Sequence, residues 1–140
     1  MADRYISCLI KVDSLRKCDV MHELSVAQSI VEIIQQHVPE QEWGRVTAVR
    51  LKIGTIAGVV PESLEFSFQA ITAESLLLHA RLEIESVPFR IHCNTCNTIA
   101  ENEVGFALCG TCGGTDTKIL SGSELYITEI EITEPEVVML

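Results

Sequence analysis

Four cysteines carry the strongest chemistry in this sequence: Cys93-Asn94-Thr95-Cys96 and Cys109-Gly110-Thr111-Cys112, two C-x-x-C pairs separated by twelve residues. Each tight turn can set two thiolates on one side, and two such turns supply the four soft ligands that Zn(II) accepts tetrahedrally at about 2.3 Å. The competing readings are a redox pair and incidental buried thiols. Two pairs with glycines around the second favour zinc. The linker is short for paired motifs of this kind, yet it closes a small ribbon if it holds a hairpin's worth of strand turned at Gly105. Gly110, Gly113 and Gly114 are expected to take the positive φ angles that let the backbone fold back on a metal. Four thiolates leave no open position, so the site is expected to be structural.

The remaining candidate ligands are weaker. Cys8 and Cys18 match no metal spacing and read as incidental. His37 closes a helical pattern, where it suits the negative end of the dipole better than a metal. His79 has no partner in sequence. His92 precedes Cys93 and reads equally well as an outer support of the zinc site or as an exposed side chain. His22 taken alone is an unremarkable first-turn histidine.

These residues need elements to position them. From Met21, Leu24, Ala27, Ile30, Val31, Ile34 and Val38 recur at spacings of three and four, the apolar stripe of a helix that Pro39 stops. Ser25 and Gln28 form a candidate capping box, with an earlier start at Glu23 as the alternative. Thr47, Val49, Leu51 and Ile53 alternate with polar or small residues as a strand. Pro61 opens a second helix carrying Leu64, Phe68 and Ile71. Ala80, Leu82 and Ile84 give a second strand ending at Pro88. Residues 125–132 give a third, with Tyr126, Thr128, Ile130 and Ile132 on one face and Glu129 and Glu131 on the other.

The expected fold class is α+β: a small sheet packed with two helices, plus an inserted zinc-ribbon subdomain. The expected organisation is an extension at 1–20 with neither helix nor strand, an α/β domain at 21–90 with 121–134, the ribbon at 91–120, and a frayed tail at 135–140. Charges at Asp3, Arg4, Lys11, Asp13, Arg16, Lys17 and Asp19 interrupt every apolar run of the extension.

Composition bounds the function. Of 140 residues, 47% are hydrophobic, enough for a core, but 94–114 offers only Ile99, Val104, Phe106 and Leu108 as large apolar side chains and needs a metal or cross-link to fold. Ten Lys and Arg against twenty Asp and Glu give a net charge of −10, the wrong sign for coating nucleic acid. No apolar run is long enough to span a membrane, and residues 5–10 are too short and polar for a signal-peptide core. A reducing cytoplasm is the expectation, where C-x-x-C pairs mean metal or redox chemistry.

Met21-His22-Glu23-Leu24-Ser25 ahead of an amphipathic helix resembles the start of the hydrogenase nickel-insertion accessory proteins, the HypA/HybF family. The resemblance continues through Leu51-Lys52-Ile53-Gly54, Val59-Val60-Pro61-Glu62-Ser63-Leu64-Glu65-Phe66-Ser67-Phe68, Leu82-Glu83-Ile84-Glu85 and both cysteine pairs, to about Ile132. It implies a nickel metallochaperone, not an enzyme, with structural Zn(II) on Cys93, Cys96, Cys109 and Cys112 and transported Ni(II) at Met21, His22 and Glu23. A free α-amine, two backbone amide nitrogens and an imidazole can surround one ion in a plane, which suits Ni(II). By the resemblance these are the amine of Met21, the amide and ring of His22 and the amide of Glu23. The implied partners are a HypB-type accessory GTPase, the [NiFe] hydrogenase large-subunit precursor and urease maturation proteins.

The sequence departs from the family pattern where twenty residues precede Met21, because an internal Met21 has an amide in place of the amine. Either the native product begins at Met21, or His22 holds nickel with borrowed ligands. The first is the expectation, since the extension shows no targeting or folding logic. A zinc-ribbon interaction module without nickel delivery is the competing class.

Overall fold

The structure, a computed structural model, describes residues 3–12 and 22–134, apart from the side chains of Asp3, Ser7, Cys8 and His22. Met21, Cys18 and the expected tail at 135–140 lie outside the described residues. Among the described residues, seven strands and two α-helices follow in the order β1 (Asp3–Lys11), α1 (His22–His37), β2 (Val46–Gly54), α2 (Pro61–Thr72), β3 (Arg81–Val87), β4 (Phe89–Cys93), β5 (Ile99–Asn102), β6 (Thr117–Ser121) and β7 (Leu125–Thr133). One sheet has the order β1-β7-β2-β3 and the other β5-β4-β6. Helices and sheets are mixed in the α+β manner the periodicities predict.

The chain divides into two compact units, one drawn from the described residues of Met1–Leu51, Val60–Ile84 and Tyr126–Leu140, the other comprising Lys52–Val59 and Glu85–Leu125. In the first, α1 buries Val26, Ala27, Ile30 and Ile34, α2 buries Leu64 and Phe68, and the two helices pack together. Ser25 does not cap α1. The helix already runs from His22, and Ser25 lies inside it, its carbonyl accepting from the Ser29 hydroxyl at 3.0 Å. The far end stops before Pro39 as predicted. There Trp43 Nε1 donates to the Val38 carbonyl at 2.8 Å and His37 Nδ1 sits 2.9 Å from the Ile33 carbonyl, occupying acceptors a helix terminus leaves open.

Two expectations fail in this unit. Part of the supposed featureless extension is a strand: β1 pairs antiparallel with β7, from Asp3 against Thr133 to Lys11 against Tyr126. Its charges are tolerated because an edge strand is held by ladder hydrogen bonds and exposes one face. Arg4, for instance, ion-pairs with Glu42 and Glu134. Along β7 the alternation slips. Ile127, Ile130 and Ile132 are buried, so Ile127 takes the inward place expected of Thr128, whose hydroxyl donates to the Arg50 carbonyl at 3.3 Å. The pairing with β1 is irregular at the same point, between Ser7 and Ile10, as a β-bulge requires.

Arg50 ties the sheet together sideways. From β2 it bonds Glu83 on β3 at 2.8 Å and Glu129 and Glu131 on β7 at 2.9 Å each, with the Tyr5 ring of β1 5.6 Å from its guanidinium. Glu131 also accepts from the Thr47 hydroxyl at 2.9 Å, and this bond, more than Arg50, holds its carboxyl below the usual range. A depressed folded-state pKa stabilises the protein above the unfolded value and is lost as pH falls through the folded one. Thr47→Val is therefore expected to cost about 1 kcal/mol at pH 7. Urea titrations of both proteins should show that difference closing below about pH 4.

Candidate metal centre

The metal centre forms within the second unit, where β4 is the middle strand. Phe89, Ile91 and Cys93 point inward at positions two apart, and Arg90 and His92 point outward. β4 pairs antiparallel with β5 (Phe89 against Asn102 to His92 against Ile99) and with β6 (Cys93 against Thr117). The linker between the cysteine pairs thus contributes one strand, β5, which folds back on β4. The expected self-contained hairpin is absent among the described residues because its other half is β4, Phe89–Cys93, upstream of the linker.

Each cysteine pair closes with the same backbone pattern. Cys93 N–H donates to the Thr98 carbonyl at 2.9 Å and Asn97 N–H to the Cys93 carbonyl at 2.9 Å. The second pair repeats this with Cys109 N–H to the Gly114 carbonyl at 3.0 Å and Gly113 N–H to the Cys109 carbonyl at 2.8 Å. The fourth residue after the leading cysteine is left-handed in both, Asn97 at φ 57° and Gly113 at φ 72°. Glycine and asparagine are the residues that adopt this region most cheaply. Positive φ expected at Gly110 and Gly114 is not found. Gly110 sits in open space, whereas Gly114 is small because a Cβ there would lie 3.1 Å from Cys112 Sγ.

The four sulfurs all lie within 4.8 Å of one another, with Cys93 and Cys112 3.6 Å apart and Cys96 and Cys109 3.5 Å apart. All four are free thiols, and these distances far exceed a disulfide of about 2.05 Å. A tetrahedron with bonds of about 2.3 Å to a central zinc has sulfur–sulfur edges of about 3.8 Å, which these spacings fit. The electrostatics agree. The amides of Cys112 and Thr111 draw the Cys109 thiol down to about 5, and the Cys96 amide, opposed by burial, lowers Cys93. The Gly114 amide pulls Cys112 the same way, but the sulfurs of Cys93, Cys109 and Cys96 override it and push Cys112 up to about 12. Four clustered sulfurs cannot all ionise near neutral pH without a cation at their centre, which Zn(II) supplies.

Supports of the cluster that the sequence reading missed are Thr98 and Asn94. Thr98 Oγ1 lies 3.0 Å from Cys96 Sγ and 3.7 Å from Cys109 Sγ, placing a hydroxyl donor between the pairs. His92, read as an outer support or an exposed side chain, is half-buried and meets asparagine side chains at both ring nitrogens. Its Nδ1 lies 3.2 Å from Asn94 Oδ1 and its Nε2 2.7 Å from Asn97 Oδ1, and Asn94 Nδ2 donates to Asp116 at 3.2 Å. For Asn97 the sequence signal was there: an asparagine four residues after a ligand cysteine is a candidate left-handed turn.

The other predicted ligands are Met21, His22 and Glu23. His22 opens α1, and its side chain and Met21 lie outside the described atoms. Glu23 is half-buried, and its Oε1 accepts from the Val60 amide at 3.4 Å, linking the first turn of α1 to the residue that precedes α2. His79 is exposed.

Residues 21–132 match the family model described as "Hydrogenase/urease nickel incorporation, metallochaperone, hypA". Over 112 residues the chain is 41% identical to the hydrogenase maturation factor HypA of Roseiflexus sp. (strain RS-1), covering 79% of this chain and 91% of that one. It is likewise 41% identical over 112 residues to that of Geobacter sulfurreducens, covering 80% and 99%. The fold is similar to the solution structure of the Ni metallochaperone HypA from Helicobacter pylori, with a TM-score of 0.54 at 21% identity over 81% of this chain and 98% of that one. With a four-cysteine cluster suited to zinc and a family model that begins on Met21-His22-Glu23, this chain belongs to the HypA family of hydrogenase/urease nickel-incorporation metallochaperones.

Proposed function

We propose that this protein binds Ni(II) at Met21, His22 and Glu23 and delivers it in the cytoplasm for maturation of [NiFe] hydrogenase, without itself being an enzyme. The observation that carries the reading is the family match from Met21 to Ile132, which starts on the nickel motif and runs through the cysteine cluster. The partners are a HypB-type accessory GTPase, the hydrogenase large-subunit precursor and, by the same family description, urease maturation proteins. The chemistry suits a carrier. Nitrogen donors at one helix start hold nickel in a plane open above and below, so an incoming ligand can attack without the protein unfolding. The zinc shell is closed and has no such position. The first unit, with α1 and α2, is the nickel-binding domain.

The test is nickel titration followed by absorbance and calorimetry, on the full chain and on the chain beginning at Met21, each with and without His22→Ala. His22→Ala is expected to weaken Ni(II) binding at least ~10-fold. The chain beginning at Met21 should bind more tightly than the full chain, because an amine is the better donor. Equal binding by the His22→Ala protein overturns the assignment and leaves the zinc-ribbon interaction module as the reading.

A further inference from the structure

We infer that the loop after β5 and the acidic cleft beside it form a docking site for a folded protein that presents an apolar groove rimmed by Lys or Arg. Val104 is 69% exposed, Phe106 63% and Leu108 50%. Three large apolar side chains within five residues are costly to leave in water, and this loop is built to keep them there. Asn102 Oδ1 accepts from the amides of Val104, Gly105 and Phe106 at 3.2, 2.7 and 3.1 Å, and Asn102 Nδ2 donates to the Phe106 carbonyl at 2.9 Å. Gly105 is left-handed at φ 81°, and a Cβ there would lie 2.8 Å from Ile56, so the tip of the loop is seated against that side chain. Thr117 Oγ1 fixes the other end by donating to the Ala107 carbonyl at 2.7 Å. A backbone held in place before binding loses little entropy on association, as a preorganised recognition element requires.

The neighbouring cleft, about 650 Å³, is lined by Thr55, Ser86, Pro88, Asn102 and two acidic residues, Glu103 and Glu101, the second of which also ion-pairs with Arg90 at 3.1 Å. The unit carries three Lys or Arg against five Asp or Glu. Four thiolates around Zn(II) add further negative charge. This sign repels a second copy of the chain, nucleic acid and anionic lipid, and attracts a protein whose apolar groove is flanked by basic side chains, one of which enters the cleft. Apolar anchors surrounded by complementary charge are how small interfaces concentrate their binding energy.

The test rests on the proposed delivery role for its probe, the purified hydrogenase large-subunit precursor, and reads its binding to the zinc-loaded full chain by interferometry. Phe106→Ser and Leu108→Ser are expected to weaken binding at least ~10-fold. Glu103→Lys should slow association, most at low salt. Leu76→Ser, at an exposed position of the other unit, should bind like wild type. Zinc content equal to wild type in each variant shows that the ribbon is intact. Wild-type affinity in Phe106→Ser, no binding by the wild-type chain, or binding to anionic vesicles in place of the precursor overturns the inference. Failure of nickel binding in the His22 series is read on the chain alone and leaves this outcome separate.

Discussion

Cys93→Ala is expected to empty the zinc site and unfold the Lys52–Val59 and Glu85–Leu125 unit, while α1 and α2 keep their hydrogen-exchange protection. The unit cannot compensate for the lost ligand. Its buried large apolar side chains beside Cys93 and Cys109 are Ile53, Val59, Phe89 and Ile91, whereas Ile99, Val104, Phe106, Leu108, Ile119 and Leu120 face water. So little buried apolar surface cannot offset the entropy of ordering the chain, and the metal closes the gap. The first unit has its own core in Val26, Ile30, Ile34, Leu64, Phe68, Ile127 and Ile130. Elemental analysis should find zinc falling from about one to below about 0.1 per chain, since three thiolates and a water do not reproduce the closed shell. Hydrogen exchange should show protection lost across β4, β5 and β6. Unchanged zinc content would contradict the assignment. Chelation of the wild-type protein should reproduce the pattern and zinc addition reverse it.

Gly54→Ala is expected to destabilise the zinc-loaded protein by about 3 kcal/mol. A Cβ at Gly54 would stand 1.9 Å from the Gly122 carbonyl oxygen and 2.5 Å from the Ser123 nitrogen, contacts only a backbone shift can relieve. That shift strains a hydrogen-bonded junction, in which Gly54 N–H donates to the Glu124 carbonyl at 2.7 Å and Ile56 N–H to the Gly122 carbonyl at 2.9 Å. Gly122 cannot yield easily, being left-handed at φ 120° with its own Cβ position 2.7 Å from Phe89 Cα. Gly110→Ala is the control, because nothing lies within 4 Å of the added methyl, and it should change stability by under about 0.5 kcal/mol. Equal denaturation midpoints for the two variants would show that the junction is loosely packed.

The comparison of these glycines shows where sequence reasoning stops. Gly54 reads in sequence only as the end of a strand, and Gly110 as the middle of a metal turn. Their opposite tolerance comes from neighbours more than sixty residues away in one case and from none in the other. Both helices and the strands β2, β3 and β7 were legible because their periodicity is local and one face of each is buried. The strands β1, β4 and β6 were missed. β1 is an edge strand rich in charge, β4 is five residues long directly after Pro88, and β6 exposes Ile119 and Leu120, so none carries a clean alternation. The slip between Ile127 and Ile130 was invisible for the same reason, being imposed by a partner strand.

By itself the sequence determined four thiol ligands at C-x-x-C spacing, a histidine at the start of an amphipathic helix, and a net charge of −10. These follow from side-chain type and from distances along the chain, which a sequence states directly. Only the tertiary structure decided that the four sulfurs converge within 4.8 Å, that Asn97 and Gly113 play one backbone role, that Thr98 stands between the pairs, and that Asn102 pins the backbone of an exposed apolar loop. Each of these depends on which hydrogen bonds win once distant segments meet, and that competition is settled by packing.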